Sequence, residues 1–420
     1  MIRSVTSLAL LFSFGALSAD DVPTWRGGNG HGATPAASPP AQCDPDKNLK
    51  WKAPLPGRGC STPIVWKDRI YLTCAIDDQD GAIAFDMDGK EVWRHTLGAS
   101  AGVRHNHAGS GSNPSAITDG DHVFVYFKSG TLAALTMDGK EVWRRNLHKD
   151  YSPDGLKWDL GTSPIFADGK LVVALMHNKN PSFLLSFDKK TGKEVWKTPR
   201  DYEAPREAQD AYTTPFVAEI DGKETIITWG CDHLTGHDAV TGKELWRHGD
   251  FNPDQQGNWR VIASAAGTDG IAVVPFGRGG FLAGVKLGGS GDTTQSHRLW
   301  TQKGVGSDSC TPIAHEGKCY VLQDKGKKRG TITCLDAESG QLQWQSKLPL
   351  SAAIYYSSPL IAGDRLYAAR SDGSLFIGKL SDSGLTDITQ HDLEETLVAS
   401  PVATGSKLLM RSHDHLWCFE

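Results

Sequence analysis

Short stretches of this 420-residue chain gather the side-chain types that do chemistry or hold a ligand. They are Arg104-His105-Asn106-His107, Trp158-Asp159, Asp210-Ala211-Tyr212, Trp259-Arg260, Asp308-Ser309-Cys310 and Tyr355-Tyr356. Aromatic plates, guanidinium groups, carboxylates and imidazoles converging on one mouth are the ingredients of a small-ligand or peptide site. The plainer reading is that they satisfy one another around a water-filled channel. The candidate ligand- or partner-binding residues are Arg104, His105, His107, Trp158, Asp210, Tyr212, Trp259, Arg260, Asp308 and Tyr355. No catalytic residue is assigned.

Two His-x-His pairs, His105/His107 and His413/His415, invite a metal reading, because residues two apart on extended backbone face the same side. Neither pair has a third ligand identifiable from spacing, so hydrogen-bonded histidines and no metal site are expected. Gly288-Gly289-Ser290-Gly291-Asp292 lacks the Lys-Ser/Thr and helix of a phosphate cradle and reads as a long turn. No Gly-x-Ser-x-Gly elbow is present. The eight cysteines include no Cys-x-x-Cys. Cys319 and Cys334 fall on strands expected to be neighbours and form one candidate disulfide, with packed thiols the equal alternative elsewhere. A net charge of −5 offers no basic face for nucleic acid.

What must position these residues is a repeat. Asp86-Met87-Asp88-Gly89-Lys90-Glu91-Val92-Trp93 returns as Met137–Trp143, Asp188–Trp196, Asp238–Trp246 and, more loosely, Asp336–Trp344. The recurrence of about 42 to 54 residues is the period of propeller blades. A short step, Ser/Thr-Pro in most copies, opens each unit: Thr62-Pro63, Asn113-Pro114, Ser163-Pro164, Thr214-Pro215, Thr311-Pro312, Ser358-Pro359 and Ser400-Pro401, with Ser264-Ala265 completing the set. Short apolar strands separated by Gly/Asp turns follow, with no helical periodicity between them. The expected fold is all-β, a single eight-bladed β-propeller of four-stranded antiparallel blades.

Asp closes each turn, Gly supplies positive φ, and Trp packs between blades. Trp51, Trp93, Trp143, Trp196, Trp246, Trp300 and Trp344 should form a docking girdle. The repeat departs from pattern at Thr136, at the Gly288-Gly289 turn and at Ile388, which stands where a Trp is expected. The chain ends on a third strand, Leu416–Glu420, while residues 49–55 carry a fourth-strand pattern with no partners of their own. Residues 49–55 should therefore complete blade eight and remove the open edge.

Residues 1–19 read as a secretory signal: Arg3, an apolar core at Leu8–Leu17, then small residues before Asp20. No Cys closely follows the core, so no lipid anchor is expected, and no other run is long enough to cross a bilayer. The propeller is assigned to residues 20–420, a periplasmic or secreted monomer.

The repeat, Ala-x-Asp-x-x-(Thr)-Gly-Lys-x-x-Trp, resembles the tryptophan-docking repeat of the pyrroloquinoline quinone (PQQ) propeller family over nearly all of the mature chain. In size it is similar to the BamB-type outer-membrane assembly factors, and Trp25-Arg26-Gly27-Gly28-Asn29-Gly30 is similar to the start of many exported members. That resemblance implies a non-catalytic binding scaffold, with envelope protein assembly as one setting it offers, a protein or small-molecule ligand at the funnel mouth and no cofactor. The alternative it implies is a PQQ-dependent oxidoreductase with Arg104, Asp210, Trp259 and Asp308 as cofactor contacts. Quinoprotein dehydrogenases carry an adjacent cysteine pair and a calcium cluster, and neither motif occurs here.

Overall fold

The computed structural model describes residues 20–27 and 30–420; the secretory signal expected at 1–19 lies outside them. Among the described residues, eight antiparallel sheets follow one another in chain order. Blade 1 runs Ile64–Trp66, Arg69–Ile76, Gln79–Asp86 and Glu91–Ala99, from the channel outward. Blade 8 is Val402–Thr404, Lys407–Arg411 and His415–Phe419, completed by Leu49–Pro54 from the other end of the chain. Trp51 lies opposite Cys418 in that closure. Leu55 falls just beyond the strand, yet its N–H still donates to the Asp414 carbonyl at 2.8 Å. The chain is an eight-bladed β-propeller.

Middle strands such as His122–Tyr126 and Lys170–Leu175 are buried at nearly every position, because each blade is sandwiched between two others. Outermost strands alternate: Glu91–Ala99 exposes every second residue to water. Two blades gain a fifth, parallel strand that the sequence pattern does not announce. Gly291–Asp292, in the segment expected to be a long turn, lies beside Trp246 and Arg247 and covers the edge of blade 4. Ala33–Thr34 joins the inner strand of blade 7.

The blade-opening Ser and Thr residues close a complete ring around the channel. The backbone N–H of Thr62 donates to the Ser115 hydroxyl at 3.0 Å, and Ser115 to Ser163 at 2.9 Å. The chain of bonds continues through Thr214, Ser264, Thr311, Ser358 and Ser400, and Ser400 returns to Thr62 at 3.1 Å. In blade 2 the ring position is Ser115, not the Asn113-Pro114 step read as its opener. Ser115 is the residue whose hydroxyl oxygen reaches Thr62.

At the periphery, Trp51, Trp93, Trp143 and Trp300 each donate Nε1 to a carbonyl in the next blade's turn, on Met87, Met137, Lys189 and Ala337, at 2.8–2.9 Å. The ring covers that turn's glycine. Gly139 has φ +81°, and a Cβ there would stand 2.5 Å from a Trp93 ring carbon, so the position requires glycine twice over. Trp196 lies over Gly242 without the hydrogen bond. Trp246 turns into the core of its own blade and is 1% exposed. Trp344 packs on Tyr320 and near Leu380 and Leu385 of blade 7.

All eight cysteines are free and buried. The candidate Cys319–Cys334 disulfide is excluded by register: Cys334 lies opposite Tyr320 and Cys319 opposite Leu335, so the two thiols leave the sheet on opposite faces.

Candidate functional site

One end of the channel is crossed by the N-terminal segment. Val22 bridges to Val65 of blade 1, and the Pro23 carbonyl accepts from Thr118 of blade 2 at 2.9 Å. Arg26 reaches the far side, where its guanidinium donates to the Thr311 and Pro312 carbonyls of blade 6 at 2.7 and 2.8 Å. Gly267 of blade 5 donates to His31, and Gly405 of blade 8 accepts from Ser38. Trp25 thus forms the floor of a chamber of about 370 Å³, whose wall includes all eight ring hydroxyls. Each hydroxyl oxygen already accepts a backbone N–H, which leaves its proton for the chamber.

The opposite end is roofed by His105. Its ring packs edge-on against Trp158 at 5.7 Å and Tyr356 at 5.8 Å, which arrive on connections from different parts of the ring. The backbone N–H groups of Arg104 and His105 donate to the Asp159 carboxylate at 2.9 and 2.8 Å, and Lys128 pairs with the same carboxylate. Lys128 and Asp159 are both nearly sealed from solvent, so this pair anchors the roof. Burial pushes the His105 imidazole down, which keeps it neutral at pH 7.

A second cluster is built on Glu207. It accepts from Trp158 Nε1 at 3.0 Å, Lys157 at 2.9 Å and Arg260 at 2.9 Å. Burial opposes its charge, but these donors together hold it below the usual carboxylate range. Arg260 also lies over the Trp158 ring at 5.7 Å, and the Tyr212 hydroxyl accepts the Trp158 N–H at 3.0 Å. Asp308 is gripped by Arg278 at 2.8 Å and Lys325 at 2.5 Å. Here too burial raises the carboxyl and the two cations outweigh it. Next to it, Asp324 takes the amides of Asp308, Ser309 and Cys310 on one oxygen, yet burial still lifts it to about 6.

Of the residues singled out from sequence, His105, Trp158, Tyr212, Arg260, Asp308 and Tyr355 line the chamber. Arg104 is exposed at the rim and paired with Asp154 at 3.1 Å, and His107 is exposed beyond His105. Asp210 is fully buried and accepts from Asn178 and the Lys157 amide, so it braces two loops; burial raises its carboxyl. Trp259 packs on Phe276 and Phe281. The His413/His415 pair diverges: His413 faces Cys60 and His415 pairs with Glu395 at 2.8 Å. Among the described residues no group of three or more His, Cys, Asp or Glu is placed to hold a metal.

The sequence reading passed over Trp25, Cys60, Lys128, Arg278, Asp324 and Lys325. Apart from the N-terminal Trp25 and Cys60, these lie on or beside turns joining the second and third strands of a blade. The available signal was charge inside an apolar hairpin, as at Gly277-Arg278-Gly279 and Gln323-Asp324-Lys325.

Ring, floor and roof define a channel-plugged propeller with a polar, aromatic chamber. A family model described as outer membrane protein assembly factor BamB matches residues 42–199, 128–297 and 290–412. The chain belongs to that family. A stretch of 100 residues is 30% identical to BamB of Salmonella typhimurium, covering 24% of this chain and only 23% of that protein's length. Among solved structures, BamB from Moraxella catarrhalis is similar with a TM-score of 0.61 at 13% identity, over 89% of this chain and 97% of its own. A europium-containing methanol dehydrogenase is also similar, with a TM-score of 0.65 at 13% identity, over 91% of this chain and 88% of its own. The quinohemoprotein alcohol dehydrogenase of Comamonas testosteroni gives 0.63 at 14%, over 95% and 80%. At these identities the likeness to solved structures is one of fold. Among the described residues no helix is long and apolar enough to cross a membrane.

Proposed function

We propose that the chain is an exported, non-catalytic binding scaffold of the cell envelope that engages a protein segment or small molecule at its roofed chamber. The observation that carries this reading is that three carboxylates at or beside the chamber are matched to cations, while Asp324 is held by three backbone amides on one oxygen. Asp159 is paired with Lys128, Asp308 with Arg278 and Lys325, and Glu207 beside them with Lys157 and Arg260. Such a wall is preorganised for recognition, while a general acid or base needs a group free to exchange its proton. The family match supports the envelope setting.

The family's other chemistry would require a quinone held over calcium. The donor set does not fit it. Of Arg104, Asp210, Trp259 and Asp308, only Asp308 lines the chamber, and its two oxygens are held by Arg278 and Lys325.

A photo-crosslinking amino acid at exposed position 107, beside the roof, tests the binding role in envelope fractions, with position 190 on the opposite end as control. The reading expects position 107 to capture a small, reproducible set of envelope proteins that position 190 does not. Equal or absent capture at both positions counts against a protein partner at the roof.

A further inference from the structure

The segment that floors the chamber also closes the inner edges of the blades it crosses. The third residue after each ring hydroxyl sits on the innermost strand or just at its end, where alternate residues turn their N–H and C=O away from their own hairpin. In blade 1 that residue is Val65. Its carbonyl accepts from the Val22 N–H at 2.8 Å, and its N–H donates to the Val22 carbonyl at 2.9 Å. In blades 2, 6 and 7 the N–H groups of Thr118, Ala314 and Ile361 donate to the carbonyls of Pro23, His31 and Gly32. In blade 5 the Gly267 N–H donates to the His31 ring, and blade 8 is tied at the Gly405 carbonyl by Ser38.

Blades 3 and 4 are passed over. Their equivalent residues are Phe166 and Val217, which lie opposite Leu171 and Ile226 as Val65 lies opposite Ile70. Neither finds a partner for its outward N–H or C=O among the described residues. Both line a groove of about 430 Å³ together with Ile165, Phe216 and Trp66, and Trp25 of the chamber floor lines it too. Three carboxylates belong to the same groove. Asp119 is paired with Lys189 at 2.7 Å and Asp168 with Lys170, whereas Glu224 makes no ion pair among the described residues. A strand edge with unpaired backbone groups is a template for another extended chain. The walls say what that chain carries: apolar side chains, and a cation to meet Glu224.

We propose that the inner edges of blades 3 and 4 dock an extended segment of a partner protein, apolar and bearing a Lys or Arg. It continues on these two blades the strand addition that the chain's own N-terminal segment makes on the others. Phe166 and Val217 exchange backbone hydrogen bonds with it, as Val65 does with Val22, and Glu224 takes its cation. The site is separate from the roof and holds whether or not the roof engages a partner.

The test uses the full chain and a fluorescein-labelled peptide, Lys-Val-Thr-Val-Thr-Val, with fluorescence anisotropy and amide hydrogen exchange as readouts. The result expected is saturable binding that slows exchange at Phe166 and Val217 about tenfold or more and leaves Thr118 and Ile361 unchanged. A copy N-methylated at alternate residues should bind about tenfold more weakly, because it cannot exchange the backbone bonds. A copy with Glu in place of Lys should bind about threefold more weakly, and Glu224→Gln, a change at an exposed side chain, should erase that difference. The proposal is overturned if the peptide does not bind, if the N-methylated copy binds equally, or if protection falls elsewhere. A dimer of the chain that excludes the peptide would put a second copy in the groove and overturn it as well.

Discussion

The inner ring and the outer girdle fasten the same eight blades, and they do so with different tolerance for sequence change. The inner ring is unbroken, one backbone N–H to one hydroxyl at every junction, including those where the repeat is least regular. The girdle makes its indole hydrogen bond at four junctions and alters at those following Trp196, Trp246 and Trp344. A short side chain next to the axis needs only a hydroxyl, so Ser and Thr interchange. A docked indole needs a facing glycine at positive φ and a carbonyl in place. Closure therefore rests on the ring, and the girdle is free to vary at the junctions of blades 3 with 4, 4 with 5 and 6 with 7, while Trp300 keeps its bond between blades 5 and 6.

The comparison can be broken most forcefully at a girdle glycine. Gly139→Ala combines left-handed backbone with a collision against Trp93 and should destabilise the protein by about 3 kcal/mol in denaturant titration. Gly169→Ala, at φ +67° with open space around it, should cost only about 1 kcal/mol. Equal losses would mean the indole contact is not what demands glycine. In the ring, Ser163→Ala strands the buried Ser115 N–H and should cost about 2 kcal/mol, whereas Ser163→Thr should be nearly neutral. An Ala variant as stable as wild type would remove the ring from the account. A finer contrast is Trp143→Phe against Trp196→Phe. Both lose ring area, but only Trp143 loses a hydrogen bond, so it should cost about 1 kcal/mol more.

The smallest effect is a difference in pH slope within blade 4. Burial lifts Asp232 to about 6, against the bond from Asn252, so its neutral form suits the fold. Its contribution is full below about 4, the unfolded value, and is lost as pH rises through 6. The Thr241 hydroxyl and amide hold the turn residue Asp238 low, so it contributes above about 4 and loses that as pH falls. Asp232→Asn should therefore gain stability relative to wild type between pH 5 and pH 7.5, by thermal unfolding. A pH-independent difference would contradict the assignment.

The period of Trp and Gly made the blade count and the closing strand legible, because a repeated turn needs the same residues each time it is built. The ring was half legible: Ser/Thr marked the blade openings, but Pro114 drew the reading of blade 2 two residues away from Ser115. The floor was not legible, since the segment carrying Trp25 and Arg26 has no periodicity and is placed by carbonyls nearly 300 residues away. Among the site residues, type alone could not separate Asp308, which faces the chamber, from Asp210, which is enclosed by Asn178 and the Lys157 amide. Both sit on equivalent loops, and only the packing of adjacent connections decides which way each carboxylate is used.

The central claim is that this chamber binds without catalysing. It is tested most directly by titrating the purified chain with PQQ and calcium, following thermal shift and absorbance beside a dye-reduction assay on mixed alcohols and sugars. The account predicts a flat titration and no turnover. A saturable rise in melting temperature accompanied by dye reduction would contradict it and place the chain with the quinone-dependent dehydrogenases.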